Sequence, residues 1–308
     1  TMALCLTGAN GFIGSALLGA LSGYTVSCIG RTPVKSCSKF IRSGIDATSD
    51  YSEALKGVDT VIHSAGRAHV MDDPHMEPLK EYRAVNSEGT LNLARQAALA
   101  GASRFIFLSS IKVNGESTNS CGPFSSADVP SPEDDYGISK AEAEDGLKKI
   151  ALETGMEFVI IRPPLVYGPS VKANFATMMK LAQKNLPLPL GAIYNKRSLV
   201  ALDNLVDLII TCIDHPEAAN QTFLVSDDHD VSTTELLEMM IKAIGKRPRL
   251  LPVPASWLNF VGKLAGKQAV IDRLCGNLQV DISHTKNTLS WKPPVSFEDG
   301  IKCCFIGD

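Results

Sequence analysis

CLTGANGFIGSALLGAL, residues 5–21, sets Gly8, Gly11 and Gly14 between an apolar run and a stretch with helical spacing. The run 2–7 has the near-continuous apolar character of a strand covered on both faces. Residues 12–22 repeat apolar side chains at the helix period. Glycines spaced G-x-x-G-x-x-G acquire physical meaning in that context, where a strand turns directly into a helix. The first permits the tight turn, the second lets backbone approach a pyrophosphate, and the unpaired N–H groups of the helix start face the anion. A dinucleotide is therefore expected at this first junction.

Working outward, apolar runs at 24–29, 41–46, 59–64, 104–109 and 157–161 alternate with helical patterns at 78–100 and 135–153. That rhythm predicts an α/β fold, a Rossmann-type doubly wound parallel sheet with crossover helices. After RPPLVYGP (162–169) the rhythm breaks into helices separated by Pro- and Gly-rich turns. We expect a dinucleotide-binding domain over 1–168 and a smaller mixed α/β substrate lobe over 169–308, with some chain exchange between them. LPVPASWLNFVGKLAG (251–266) is apolar enough for a lid or an interface, but core packing is the expectation.

Composition narrows the classes. The 308 residues are 44% hydrophobic and 20% charged with a net charge of −3, so a folded globule is expected and no basic footprint for nucleic acid exists. The eight cysteines form no C-x-x-C pair, which implies free thiols in a reducing compartment and no metal site. No basic leader and no run of ~18 uncharged apolar residues is seen, so neither export nor membrane insertion is expected and a cytoplasmic location is. Thr1 ahead of Met2 is set aside as an expression remnant.

The end of the second strand, CIGRT (28–32), bears on cofactor choice. An acid there accepts hydrogen bonds from a ribose diol and repels a 2′-phosphate. Here Gly30 takes that place and Arg31 follows, so a guanidinium can pair with a 2′-phosphate, favouring NADP(H) over NAD. A solvated Arg31, or one stacked on adenine, is the alternative. Asp46, in SGIDA at the end of the third strand, is expected to hold the adenine amino group. Ala65 and Gly66, in HSAGRAH (63–69), supply small side chains over which a cofactor lies flat.

Tyr136 and Lys140, in DDYGISKAEAE, stand four residues apart and so share one helical face. An ammonium within ~4 Å of a phenol favours phenolate by up to ~4 kcal/mol at an effective dielectric of ~20. Such a pair suits proton transfer to or from a carbinol oxygen during hydride transfer. A neutral donor is also needed, and Ser110, at the end of the strand in IFLSSIKVNG, sits where ligands gather in such sheets.

Taken together, the chain resembles the extended short-chain dehydrogenase/reductase family, the NAD-dependent epimerases, dehydratases and ketoreductases of nucleotide sugars. TGANGFIG resembles the family's cofactor turn, LSSIKVNG its serine motif, YGISK its tyrosine–lysine motif and VNSEGTLNLARQA its asparagine helix. The resemblance implies Ser110 as hydroxyl donor, Tyr136 as acid/base, Lys140 as its activator and a ribose ligand, and Asn86 as structural or as a relay near the nicotinamide. It adds Phe12, Ile13 and Pro163 to the cofactor set. NKRSLVALDNLVDLI and RLCGNLQVD imply that Arg197 and Arg273 clamp a nucleotide diphosphate, with Asn174 a further phosphate or sugar ligand. A homodimer through the helices around 78–100 and 135–153 is implied as well.

Departures narrow the chemistry. The Asp-Glu pair of the family's 4,6-dehydratases is Ile111-Lys112 here, which argues against dehydration, and Asn114 replaces the usual tyrosine. Arg31 favours a 4-ketoreductase, and SSIKVNGE with RLCGNLQVD resembles the branch that reduces UDP-4-keto-6-deoxy-N-acetylhexosamines for surface polysaccharide. The alternatives are a UDP-glucose or UDP-N-acetylglucosamine 4-epimerase with retained NAD and, more remotely, a catalytically silent NADP sensor.

Overall fold

The computed structural model describes residues 2–68 and 74–306; Thr1, and His69 at the end of HSAGRAH, lie outside the described residues. The strands are β1 (Ala3–Thr7), β2 (Thr25–Gly30), β3 (Lys39–Arg42), β4 (Thr60–His63), β5 (Arg104–Leu108), β6 (Glu157–Arg162), β7 (Leu165–Tyr167), β8 (Leu199–Ala201) and β9 (Gln221–Leu224). The helices include α1 (Phe12–Ala20), α2 (Pro78–Tyr82), α3 (Thr90–Leu99), α4 (Asp135–Thr154), α5 (Ala173–Lys184), α6 (Leu202–Asp214), α7 (Thr233–Ala243), α8 (Ala255–Leu264) and α9 (Gln268–Cys275).

Seven strands pair in the order β3-β2-β1-β4-β5-β6-β9, every pairing parallel. Cys28, Leu6, Ile62, Ile106 and Val159 are register partners across five strands and share one core cluster. Their neighbours Cys5, Ile29, Val61, Phe105 and Ile160 fill the other face, because successive side chains of a strand alternate. Both faces are buried, hence the unbroken apolar runs. Chain order reverses between β1 and β4, the place where doubly wound sheets open a ligand crevice.

After β7 the chain returns: β9 extends the sheet beside β6, and residues of α6 join the same cluster as α1. A third cluster, including Tyr167, Phe175, Met240, Leu258 and Phe297, forms the core outside the large sheet. Tyr167 donates a short hydrogen bond to Asp227, whose other oxygen accepts from the Ala201 amide and Asn204, tying the small β7–β8 sheet to the segment after β9.

Two expected elements are corrected. Residues 78–100 are not one α-helix: a π-helical turn, Arg83–Gly89, separates α2 from α3. Within it, the Asn86 side chain accepts from the Arg67 amide and donates to the Arg67 carbonyl and the Ser139 hydroxyl. Such insertions recur where a side chain must be re-aimed at a functional site. The third strand ends at Arg42, so Asp46 falls in the following turn, where its carboxylate accepts from Thr48 N, Ser49 N and Ser49 Oγ.

Glu144 and Arg162 form an ion pair with both side chains 2% exposed. Arg162 donates to Glu144 through Nε and Nη2 and to Asn114 Oδ1 through Nη1, and the Ser109 hydroxyl donates to Glu144. This network links β6, α4 and the segment after β5. Breaking a buried pair leaves an uncompensated charge, so Arg162→Leu should lower stability by about 3–5 kcal/mol, while Glu144→Leu/Arg162→Met recovers most of it. Denaturant midpoints of the three proteins check this; a parental midpoint for Arg162→Leu would show that the pair does not clamp the fold.

Candidate active site

A cleft of about 530 Å³ opens at the first strand-to-helix junction, lined among others by Gly8, Ala9, Asn10, Gly30, Arg31 and Gly66. Gly8 adopts φ +74°, and Gly14 packs so closely that a Cβ there would stand 1.8 Å from the Gly8 carbonyl oxygen. Gly11 caps α1 without a side-chain hydrogen bond and no carboxylate occupies the first turn. The amides of Phe12 and Ile13 therefore belong to an open helix start, while their side chains pack against the core. This cradle of glycines and free amides fits a dinucleotide pyrophosphate.

The floor is set by a buried chain of hydrogen bonds. Thr7 Oγ1 accepts from the Ser64 and Ala65 amides and lies 2.7 Å from His63 Nδ1, and His63 Nε2 lies 2.8 Å from Thr90 Oγ1. With its oxygen taking two amides, Thr7 donates its proton to Nδ1, and Nε2–H then donates to Thr90. Burial, reinforced by the Lys140 charge, holds the His63 pKa down at about 3, so the ring is neutral. Ala65 and Gly66 follow, and a Cβ on Gly66 would stand 3.1 Å from Lys140 Nζ and 3.2 Å from Asn86 Oδ1.

Arg31 is exposed and lines the cleft beside Gly44. Ser43, Gly44 and Ile45 line it alongside Arg31, and the carboxylate of Asp46, the next residue, accepts from Ser49 within its own turn. Pro163 is buried just beyond β6, and its carbonyl accepts from the Ile111 amide, fixing the segment that carries Ser110.

Ser110 follows the end of β5, and Lys140 of α4 reaches the same strand end at Leu108. Ser110 is half-buried, and its hydroxyl oxygen accepts from the Lys112 amide at 3.1 Å, which leaves the O–H to donate outward. Asp134 caps α4 by accepting from Gly137 N, which sets Tyr136 in the first turn. Lys140 donates to the Leu108 carbonyl at 3.1 Å and lies 5.8 Å from the Tyr136 ring centroid and 4.9 Å from that of Phe107. Burial lowers its pKa to about 8, against the raising influence of Glu144.

The phenol itself is not acidified by this arrangement. Burial pushes Tyr136 up to about 12; the Lys112 cation opposes that shift, while Asp134 and Tyr82 add to it. Two ammonium groups stand at the ring: Lys140, which also donates to the Leu108 carbonyl, at 5.8 Å from its centroid and Lys112 at 5.9 Å. Lys112 pairs with Asp134 at 2.8 Å and Glu116 at 3.3 Å.

Farther along, Arg197 Nη1 donates to the carbonyls of Arg273 and Gly276, which brings the two arginines side by side, Arg273 exposed in the last turn of α9. Asn174 is exposed in the first turn of α5, and no hydrogen bond joins it to either arginine among the described residues. The residues that sequence reasoning missed are Glu144 and Arg162, the Thr7–His63–Thr90 chain, and Lys112 as an electrostatic partner. An arginine inside FVIIRPP and a glutamate one turn beyond Lys140 were the available signals, since a charge in a doubly covered element demands a partner.

The profile described as the NAD dependent epimerase/dehydratase family matches residues 4–226. A curated relative, UDP-glucose 4-epimerase of Vibrio cholerae, is 53% identical over 305 residues, covering 97% of this chain and 93% of its own. Among solved structures, UDP-N-acetylglucosamine 4-epimerase from Bacillus cereus superposes with a TM-score of 0.78 at 20% identity, covering 98% of this chain and 94% of its own. UDP-glucuronic acid 4-epimerase from Bacillus cereus in complex with NAD gives 0.77 at 23% identity, covering 98% and 97%. These two carry the fold; the matched profile and the half-identical relative carry the family, and the chain is an enzyme belonging to the NAD dependent epimerase/dehydratase family.

Proposed function

We propose that the protein is a nucleotide-sugar 4-epimerase that inverts C4 of a UDP-hexose, with UDP-glucose and UDP-galactose as the substrate pair. The observation that carries this reading is the 53% identity, over nearly the whole chain, to the Vibrio cholerae UDP-glucose 4-epimerase. It displaces the 4-ketoreductase favoured from the sequence. The reductase remains the second reading on one observation: exposed Arg31, with no acid at Gly30, at the wall of the cleft. UDP-N-acetylglucosamine is a further candidate substrate.

A nicotinamide dinucleotide, when bound, supplies reversible hydride transfer at C4. The glycine turn and the amides of Phe12 and Ile13 would hold its pyrophosphate, Arg31 its adenosine end, and Lys140 with Asn86 the region beneath Gly66. Ser110 donates a hydrogen bond to the C4 oxygen, and Tyr136 accepts and returns the proton of that hydroxyl. Because burial holds the phenol near 12, its ionisation depends on positive charge brought beside it. Arg197 and Arg273 are the proposed diphosphate clamp, with Asn174 near the sugar end.

We further read residues 1–168 as the cofactor domain and 169–308 as the substrate lobe, with β9 exchanged back into the sheet. Exposed Leu99 on α3 and Leu152 on α4 support a homodimer through those neighbouring helices. A cytoplasmic role in surface polysaccharide synthesis fits a UDP-sugar substrate.

Three experiments test the site. The protein incubated with UDP-glucose should form UDP-galactose, seen by proton NMR without net NADPH consumption, and Tyr136→Phe should lower that rate by about 10²–10⁴. Net oxidation of NADPH with a 4-keto-6-deoxy UDP-sugar, and no epimer, would favour the reductase instead. Lys112→Met should move the alkaline shift of kcat/KM to higher pH by up to about one unit, since a cation that favours phenolate is gone. Lys112→Arg should keep the parental profile; coincident profiles for all three would free the phenol from Lys112. Arg31→Asp should weaken NADPH binding far more than NADH in a fluorescence titration, and equal weakening would mean that Arg31 does not read a 2′-phosphate.

A further inference from the structure

The stretch 251–266, expected to pack into the core, does so only along one side. In α8, Leu258 and Gly262 face inward, where Gly262 allows Ile271 of α9 to close against it. Trp257, Phe260, Val261 and Leu264 point outward, 65%, 64%, 59% and 74% exposed. Their spacing, i, i+3, i+4 and i+7, makes one continuous apolar stripe along the helix. Leu251 just upstream and Val270 on α9 extend it at 50% and 41% exposure.

The surroundings of this stripe are basic. Between residues 246 and 273 the chain carries Lys246, Arg247, Arg249, Lys263, Lys267 and Arg273 against the single carboxylate of Asp272, in a protein whose net charge is −3. Lys184, Lys246, Arg247 and Arg249 line an open cleft of about 310 Å³. The pairing of Leu188 with Leu250 brings the 184–188 segment, with exposed Leu186, alongside the strand that leads into α8. The cleft and the stripe are thus joined by a short run of chain.

We propose that the α8–α9 hairpin and this basic cleft form a docking surface for a bilayer that carries anionic lipid headgroups. A stripe of tryptophan, phenylalanine and aliphatic side chains ringed by lysines has the composition of an interfacial helix, its apolar face immersed at the headgroup level. The local excess of cations is complementary to an anionic leaflet, and the aliphatic stems of Lys263 and Lys267 reach the headgroups while their ammonium groups stay wet. No helix among the described residues is long and apolar enough to cross a membrane, so the association is peripheral and reversible. Of the residues counted, Arg273 alone is shared with the proposed diphosphate clamp, and the variants below leave it in place.

The full-length protein is mixed with vesicles of phosphatidylcholine alone or of phosphatidylcholine with phosphatidylglycerol, and bound protein is measured by flotation. Binding to the anionic vesicles is expected, with little to the zwitterionic ones, and it should be lost near 1 M salt, where the screening length is about 3 Å. Trp257 supplies a second readout, because the other tryptophan, Trp291, is buried and donates to Asp207: vesicles should blue-shift the emission, and Trp257→Phe should remove the shift. Trp257→Glu/Phe260→Glu and Lys263→Glu/Lys267→Glu should each reduce partitioning about tenfold or more while the rate on soluble UDP-glucose is kept, which shows that the variants are folded. Absence of flotation with anionic vesicles overturns the proposal. So does equal binding to both vesicle types, or a concentration-dependent oligomer that Trp257→Glu/Phe260→Glu dissolves without any vesicle binding.

Discussion

The buried Glu144–Arg162 pair is the constraint on which the site geometry rests. Two opposite charges at 2% exposure are costly unless each finds hydrogen bonds beyond the pair, and here Ser109 and Asn114 supply them. The four residues come from β6, α4 and the segment after β5, so satisfying the charges sets where α4 lies over the sheet edge. Tyr136 and Lys140 ride on α4, and Ser110 directly follows Ser109. A shift of α4 that separated the phenol from Ser110 would also strip hydrogen bonds from a buried ion. The motif is therefore held by a network outside it, and Asn114 has a structural task where the resemblance suggested only a missing tyrosine.

The same glutamate enters the electrostatics. Glu144 stands one helical turn from Lys140 and favours its ammonium form, against burial that draws the lysine to about 8. Neutral His63, held near 3, adds no positive charge to the floor of the cleft. The protein thus keeps one cation under Gly66 at neutral pH and leaves Tyr136 protonated. A phenol that ionises only when further positive charge arrives suits proton transfer coupled to cofactor binding, because the base is formed where it is needed. Lys112, placed where the family's dehydratases carry an acid, contributes in the same direction, 5.9 Å from the ring centroid.

Much of the scaffold was legible because the signals were redundant. Parallel strands buried on both faces write continuous apolar runs, and the glycine turn combines a period change with two positions, Gly8 and Gly14, that leave no room for a Cβ. The π-turn at Arg83–Gly89 was not legible, since its cause is a long-range contact: Asn86 bonds both backbone groups of Arg67, nineteen residues away. Asp46, followed by Ala-Thr-Ser, captures its own turn, and only the tertiary structure shows that Ser43, Gly44 and Ile45 line the cleft. Ser110, Tyr136 and Lys140 were visible by spacing, whereas Glu144 and Arg162 required asking what a charge was doing inside an apolar element.

Residues 251–266 show the limit of hydropathy most plainly. Mean apolarity cannot distinguish a helix that buries every side from one that buries a narrow stripe, and the narrow stripe here is Leu258 and Gly262 against α9. The angular position of the flanking charges separates the cases: Lys263 falls at the border of the apolar face rather than opposite it, and no acid accompanies it in α8. A surface helix built only for solubility gains from mixed charges and i,i+4 pairs of opposite sign. This one has cations alone beside exposed aromatic rings, a pattern whose free energy improves only when an anionic, partly apolar phase lies against it.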